Sequence, residues 1–97
     1  MLNIPEDGQQ ISRRFFLALE TLKAQGKIRG LKTFTDRYNL NYGNMNTLRS
    51  NINKRTLRVE YLAYIVKDFG ISSDWLLLGI GDMFIQRSSK IWVYQIP

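Results

Sequence analysis

Apolar residues recur along this chain at steps of three and four, the spacing of amphipathic α-helices. The first run consists of Ile11, Phe15, Ala18, Leu19 and Leu22. Because these positions share one helical face, they predict a helix over about residues 9–25, with Gly26 as its stop. A later run with the same period consists of Val59, Leu62, Ala63, Val66 and Phe69. It predicts another helix, which Gly70 ends.

Two shorter helices are predicted between these long ones. The first begins near Leu31 and turns Phe34 and Tyr38 inward. The second carries Met45 and Leu48 on its inner face, since residues three apart lie on the same side of a helix. The sequence between them is short, so we expect a tight turn.

Residues suited to helix ends flank these segments. Asn39 suits the left-handed conformation just past a helix end, and Asn41 can cap the helix that follows. Ser72 or Ser73 can cap a short fifth helix with the sequence "DWLLLG". The residues of this helix that we expect to close the core are Trp75, Leu76 and Leu77.

Asparagine is concentrated in the middle of the chain. The stretch "LKTFTDRYNLNYGNMNTLRS", residues 31–50, holds four of the seven asparagines. Turn and cap chemistry accounts for Asn39, Asn41 and Asn51. It does not account for Asn44 and Asn46, which fall inside a predicted helix where asparagine is a poor former. An asparagine amide pairs with adenine through two hydrogen bonds, so these two are candidates for base contact.

Positive charge is concentrated in the same region. The chain has 14 basic and 8 acidic residues, a net charge of +6. Between residues 23 and 58 there are nine basic residues and one acid, Asp36, which gives 9 − 1 = +8, and the remainder carries 5 − 7 = −2. A solvated basic surface is the plain explanation, but a segregated basic window more often indicates an anionic partner, nucleic acid above all. The nine are Lys23, Lys27, Arg29, Lys32, Arg37, Arg49, Lys54, Arg55 and Arg58.

The central stretch, followed by "VEYLAYIVKDFGISSDWLLLGIGDMF", resembles the phage-repressor (CI/Cro-type, lambda-repressor-like) helix-turn-helix family. Its ending is similar to the family's W-L-L-x-G-x-G-x-M/F pattern, and the resemblance covers roughly residues 10–84. Thr35, Asn39 and Gly43 depart from the family's usual residues. The resemblance implies an all-α, five-helix domain over residues 1–85. It also implies double-stranded DNA as partner and a role as a transcriptional regulator, a repressor of phage or mobile-element type.

The predicted recognition helix, near residues 42–51, supplies the candidate base contacts. Met45 and Leu48 turn inward, and about 100° per residue then places most of the other side chains outward; Tyr42 and Asn44 stand where the family commonly touches bases. The candidate base contacts are Tyr42, Gly43, Asn44, Asn46, Thr47 and Ser50. The candidate phosphate contacts are Lys32, Thr33, Arg37, Asn41, Arg49, Asn53, Lys54 and Arg55.

Other functional classes find little support in the composition. There is no cysteine or histidine, so thiolate and imidazole chemistry is absent, and "SSK" at residues 88–90 is only a weak match to a Ser–Lys site. We therefore expect no enzyme, no metal, no cofactor and no small-molecule substrate. The polar start and the short apolar runs predict a cytoplasmic protein without a membrane segment. The alternatives left open are a protein-interaction module of the same fold, such as an antitoxin or adaptor, and an RNA binder.

The tail, residues 86–97, has a different character. Its sequence "IWVYQIP" is rich in β-branched and aromatic residues, which favour a strand. A lone hydrophobic strand is unstable, so we expect it to pack against a second copy in a homodimer. The alternatives are that the tail folds back on its own domain or stays disordered.

Overall fold

A computed structural model describes residues 4–85 of the chain, and the tail predictions lie outside this range. The described residues form five helices and no β-strand, which confirms the all-α prediction; Ile71 and Phe84 make one isolated antiparallel bridge. None of these helices is both long and apolar enough to cross a membrane. The helices are α1 (Glu6–Ala24), α2 (Leu31–Arg37), α3 (Tyr42–Ser50), α4 (Val59–Phe69) and α5 (Ser73–Leu78).

Helix α1 begins three residues before the predicted start. Glu6 and Asp7 occupy its first turn, where acidic side chains are favoured by the positive end of the helix dipole. The apolar period could not show this, because the added residues are polar. At the other end Gly26 has φ +77°, a left-handed conformation that costs glycine little, so the predicted stop is confirmed.

Side-chain caps begin α3 and α5, as the sequence indicates. The Asn41 side chain accepts a hydrogen bond from the backbone N–H of Asn44 at 2.8 Å. Asn39 has φ +57°, so it takes the left-handed position in the turn between α2 and α3. Of the two candidate serines, Ser72 caps α5, since its hydroxyl accepts from the Trp75 N–H at 3.2 Å.

The centre of the core is the ring of Phe34 on α2, which is fully buried. Its centroid lies 5.7 Å from Phe15 on α1, 5.0 Å from Tyr38 and 6.5 Å from Phe69 on α4. This one side chain therefore joins α2 to two other helices, α1 and α4. The hydroxyl of the neighbouring Thr35 is also buried, and it donates to the Lys32 carbonyl at 3.1 Å.

Helix α5 is attached to α1 through a charged side chain as well as through the core. Arg14 on α1 donates to the carbonyls of Leu76 at 2.8 Å and Leu77 at 3.1 Å. These carbonyls belong to the last turn of α5, where no helical partner follows. Arg14 therefore satisfies backbone groups that would otherwise depend on solvent.

The inner faces of α4 and α5 differ from the simplest apolar pattern. On α4 the fully buried residue is Ile65, whereas Val59 is 78% exposed. On α5 Leu76 is fully buried but Leu77 is 44% exposed, so the prediction that Leu77 closes the core is wrong. Consecutive helical residues point about 100° apart, and a six-residue helix can bury only one side.

A polar cluster joins the α2–α3 turn to α4. The ring of Tyr38 stacks on Tyr64, with centroids 4.1 Å apart and planes 1° from parallel. Its hydroxyl donates to Asp68 and accepts from Arg37 at 3.0 Å. Burial, together with the hydrogen bond to Asp68, raises the pKa of Tyr38 to about 12, although Arg37 opposes the shift.

This raised pKa predicts a loss of stability at alkaline pH. The folded protein keeps the Tyr38 proton longer than the unfolded chain, whose pKa is near 10.0. The stabilisation should therefore be complete below about pH 10 and lost as pH rises through about 12. In Tyr38→Phe the ring stack remains, but the pH dependence that comes from the Tyr38 hydroxyl disappears. The free energies of unfolding of the parent and of Tyr38→Phe, measured by denaturation, should therefore converge as pH rises over that interval. Tyr42→Phe, outside the cluster, is the control. If the unfolding free energies of the parent and of Tyr38→Phe keep a constant difference across this pH interval, the stabilising role of the Tyr38 hydroxyl is contradicted.

Candidate nucleic-acid interface

Helix α3 is oriented as its apolar residues predict. Met45 is 2% exposed and Leu48 is 8% exposed, so both face the core. The remaining side chains are polar, apart from the aromatic ring of Tyr42, and most of them lie in solvent. Those classed as exposed are Tyr42, Gly43, Asn44, Thr47, Arg49 and Ser50. α3 is therefore an amphipathic helix whose exposed face is mostly polar and contains no acidic residue.

Asn46 is partly buried and already has a protein partner. Its side-chain oxygen accepts a hydrogen bond from the guanidinium of Arg49, one turn further along α3. An amide oxygen has two lone pairs, so this bond fixes the orientation of the amide and leaves further capacity for hydrogen bonding. The predicted base contact and the predicted phosphate contact are thus coupled on one helix.

The start of α3 explains the glycine inside the predicted helix. A Cβ atom at Gly43 would lie 3.3 Å from the Asn41 side-chain oxygen, the atom that caps α3. Glycine leaves that oxygen undisturbed, which offsets its poor helix propensity. Phosphate oxygens accept hydrogen bonds, so a phosphate contact from the Asn41 side chain would come from its amide nitrogen while its oxygen serves the cap.

The loop after α3 is fixed at both ends. Lys54 and Arg55 donate their backbone N–H groups to the Asn51 carbonyl at 2.9 and 3.0 Å, which forms a tight turn. The Asn53 carbonyl accepts from the N–H of Ile4, and Leu57 is buried. The side chains of Asn53, Lys54 and Arg55 are exposed on this loop, as phosphate contacts would require.

A groove of about 350 Å³ separates α3 from this loop and the start of α4. It brings the candidate base contact Asn44 together with Arg55 and with Arg58, which we did not predict as a phosphate contact. The signal for Arg58 was present in the sequence, because it lies in the basic window directly after a buried leucine. The remaining lining residues are Met45, Leu48, Thr56 and Tyr61.

Arg58 is held in place by an acidic neighbour. Its Nε donates to the carboxylate of Glu60 at 2.8 Å, and this hydrogen bond raises the pKa of Arg58. The pKa of Glu60 is lowered, first by its backbone hydrogen bond and then by Arg58. Both groups are exposed, so the pair orients the guanidinium more than it stabilises the fold.

The predicted phosphate contacts on α2 have intramolecular partners. Lys32 pairs with Asp36 at 3.0 Å, and the Thr33 hydroxyl accepts from the N–H of Arg29 at 3.1 Å. Arg37 lies 3.7 Å from Asp68 and over the ring of Phe69. The structure therefore places Arg37 against α4, whereas Asn44, Arg55 and Arg58 share one groove.

Comparison with known proteins adds no relative. The chain matches no protein-family model, no curated protein and no solved structure. Within residues 4–85 there is also no group of three or more histidine, cysteine or acidic side chains that could hold a metal ion. The surface features that indicate a function are the polar face of α3 and the cations beside it.

Two substitutions should separate sequence preference from general affinity. Asn46→Ala should cost about 1–3 kcal/mol on a preferred DNA site and little on random DNA, because the base-facing amide is lost whereas Arg49, which loses one hydrogen-bond acceptor, keeps its charge for phosphate. Lys54→Ala should weaken binding to the preferred site and to random DNA by similar factors, because phosphates are present in every sequence. It should also lower the slope of log K against log salt by about one. Titrations of both variants on specific and random duplexes measure the difference.

Lys67→Ala is the matched control, since Lys67 is an exposed lysine outside the basic window. This control should change neither the affinity for the preferred site nor the affinity for random DNA. None of the three substitutions removes core volume, so thermal unfolding should stay close to that of the parent. If Asn46→Ala leaves DNA binding unchanged and instead destabilises the protein, its amide serves only to bind Arg49.

Proposed function

We propose that this protein binds double-stranded DNA sequence-specifically and acts as a transcriptional regulator, with α3 entering the major groove. Helices α2 and α3 would form a helix-turn-helix unit of the lambda-repressor-like type. In such a unit the second helix carries the base contacts and the loops beside it hold the phosphates. A repressor of phage or mobile-element type is the most specific role that the resemblance in residues 31–84 supports.

The observation that carries the proposal is the pairing of two surfaces at α3. Its outward face offers amide and hydroxyl groups, which form hydrogen bonds with base edges. Directly beside it, the groove lined by Asn44, Arg55 and Arg58 offers two cations, which suit contacts to the phosphate backbone. Cations alone would suit any polyanion, and amides alone would suit many partners, but the combination fits a duplex groove and its backbone.

The resemblance noted in the sequence is supported by local geometry. Asn39 adopts φ +57° in the turn, where the family usually has glycine. Thr35 is larger than the usual residue at its position, and its buried hydroxyl is satisfied by donating to the Lys32 carbonyl. Both departures are therefore compatible with the proposed α2–turn–α3 unit.

A protein-interaction module of the same fold, such as an antitoxin or adaptor, is the second candidate. The observation that favours it is an exposed apolar groove on α4 and α5, on which Val59 is largely exposed. That groove contains none of the cations of the basic window, so the two surfaces are separate. Occupation of the apolar groove would not explain why the amides and cations are concentrated at α3.

The salt dependence of binding tests the proposal. If about six phosphates are contacted, log K should fall against log salt with a slope of about −5. Binding of duplex DNA, measured between about 50 and 200 mM salt, gives this slope. Arg55→Glu should reduce affinity strongly, whereas Lys67→Glu, the same change of charge on α4, should have a small effect.

A flat salt response would contradict the proposal. Single-stranded RNA and duplex RNA, measured in parallel, separate the remaining alternatives. Tighter binding of either RNA than of duplex DNA would indicate an RNA binder, and no nucleic-acid binding at all would favour the protein-interaction module.

A further inference from the structure

An apolar groove of about 420 Å³ runs between α4 and α5 and shares no lining residue with the groove beside α3. Its walls come from both helices and include a single serine, Ser73, as their only polar residue. Several of the side chains are exposed or half-buried, as Val59 and Leu77 are. The apolar lining residues are Val59, Leu62, Ala63, Val66, Leu76 and Leu77.

A face of this kind needs a partner. Contiguous exposed apolar surface rimmed by polar residues commonly marks a binding site, because removing apolar surface from water lowers the free energy of the system. The face is not explained by the core, because Ile65 of α4 is fully buried while Val59 and Leu77 of the groove stay largely or partly exposed. It is not explained by the proposed DNA contact either, since an uncharged groove offers nothing to phosphate.

The described chain ends next to this groove. The N–H of Ile85, the last described residue, donates to the carbonyl of Gly70 at 2.9 Å. Gly70 is the residue that ends α4, and Ser72, which caps α5, donates to the carbonyl of Met83 at 2.7 Å. The sequence that follows residue 85 therefore starts at the junction of the two walls.

The length of that sequence suits the groove. Five polar residues, "QRSSK", precede the apolar stretch Ile91–Ile96. A five-residue segment spans up to about 17 Å when extended. From Gly70 to Val59 along α4 is eleven residues, or about 16 Å at the helical rise. The apolar stretch can therefore reach any part of the groove in its own chain.

We propose that the tail residues Ile91–Ile96 occupy the α4–α5 groove of the same chain. Tethering through five residues gives the stretch a high effective concentration at its own groove, which a separate partner must overcome. This assigns the tail the fold-back role that the sequence left open beside pairing with a second copy. The inference is independent of DNA binding, and a homodimer on DNA would then use another surface.

Trp92 provides a direct probe. The chain has two tryptophans, so Trp75→Phe leaves Trp92 as the only indole. In this background Trp92 emission should be blue-shifted and protected from acrylamide, at all protein concentrations and with the mass of one chain. Ala63→Glu places a charge in the groove at an exposed position and should shift the emission to the red, with quenching increased several-fold. Ala24→Glu, the same change at an exposed helical alanine on α1, should change neither the emission wavelength nor the quenching of Trp92.

Engineered cysteines give a second test that does not depend on Trp75→Phe folding. The natural chain has no cysteine, so Ala63→Cys with Val93→Cys creates a single pair. A short thiol crosslinker should join this pair within one chain, several-fold more than the control pair Ala24→Cys with Val93→Cys. Equal yields for the two pairs, or a product with the mass of two chains, would overturn the proposal. The proposal would also be overturned if Trp92 is solvent-exposed in the folded parent or is protected only in a dimer.

Discussion

The buried ring of Phe34 is the interaction on which the arrangement of the domain depends. It contacts Phe15 on α1 and Phe69 on α4, and Tyr38 at the end of its own helix continues the contact to Tyr64. Removing such a ring from a packed core typically costs about 3–5 kcal/mol, a large part of the stability of a small domain. Because α2 is only seven residues long, it has little stability of its own and is positioned by this packing.

The position of α3 follows from that of α2. The turn between them is closed by the left-handed Asn39 and by the cap at Asn41, and Met45 and Leu48 then bind α3 to the core. These few apolar contacts decide which side chains of α3 face outward. The amides and hydroxyls proposed to contact bases are thus oriented by residues that take no part in binding. The α4–α5 groove shares no lining residue with the groove beside α3, although Val59 of the first directly follows Arg58 of the second along the chain.

Much of the fold could be predicted from the sequence, and the exceptions have physical reasons. The rotation of α3 was predictable because only Met45 and Leu48 on it are aliphatic. The face of α4 was not, because apolar residues surround that helix and the period alone cannot choose between Ile65 and Val59. The partner of Arg37 was also hidden, since Asp68 lies 31 positions away and their pairing depends on the packing of α2 against α4. Arg58 was visible as part of the basic window, but only the groove showed that it lies beside Asn44.

Selection from a pool of random duplex DNA, followed by sequencing of the bound molecules, is the most direct test of the proposed role of α3. A sequence-specific binder should enrich a short motif, and Asn44→Ala combined with Asn46→Ala should change or abolish that motif while Lys67→Ala leaves it intact. Two-fold symmetry in the enriched sites would indicate two copies on DNA. A bound pool with the same sequence composition as the input, or a motif that survives loss of both amides, would contradict sequence recognition by α3.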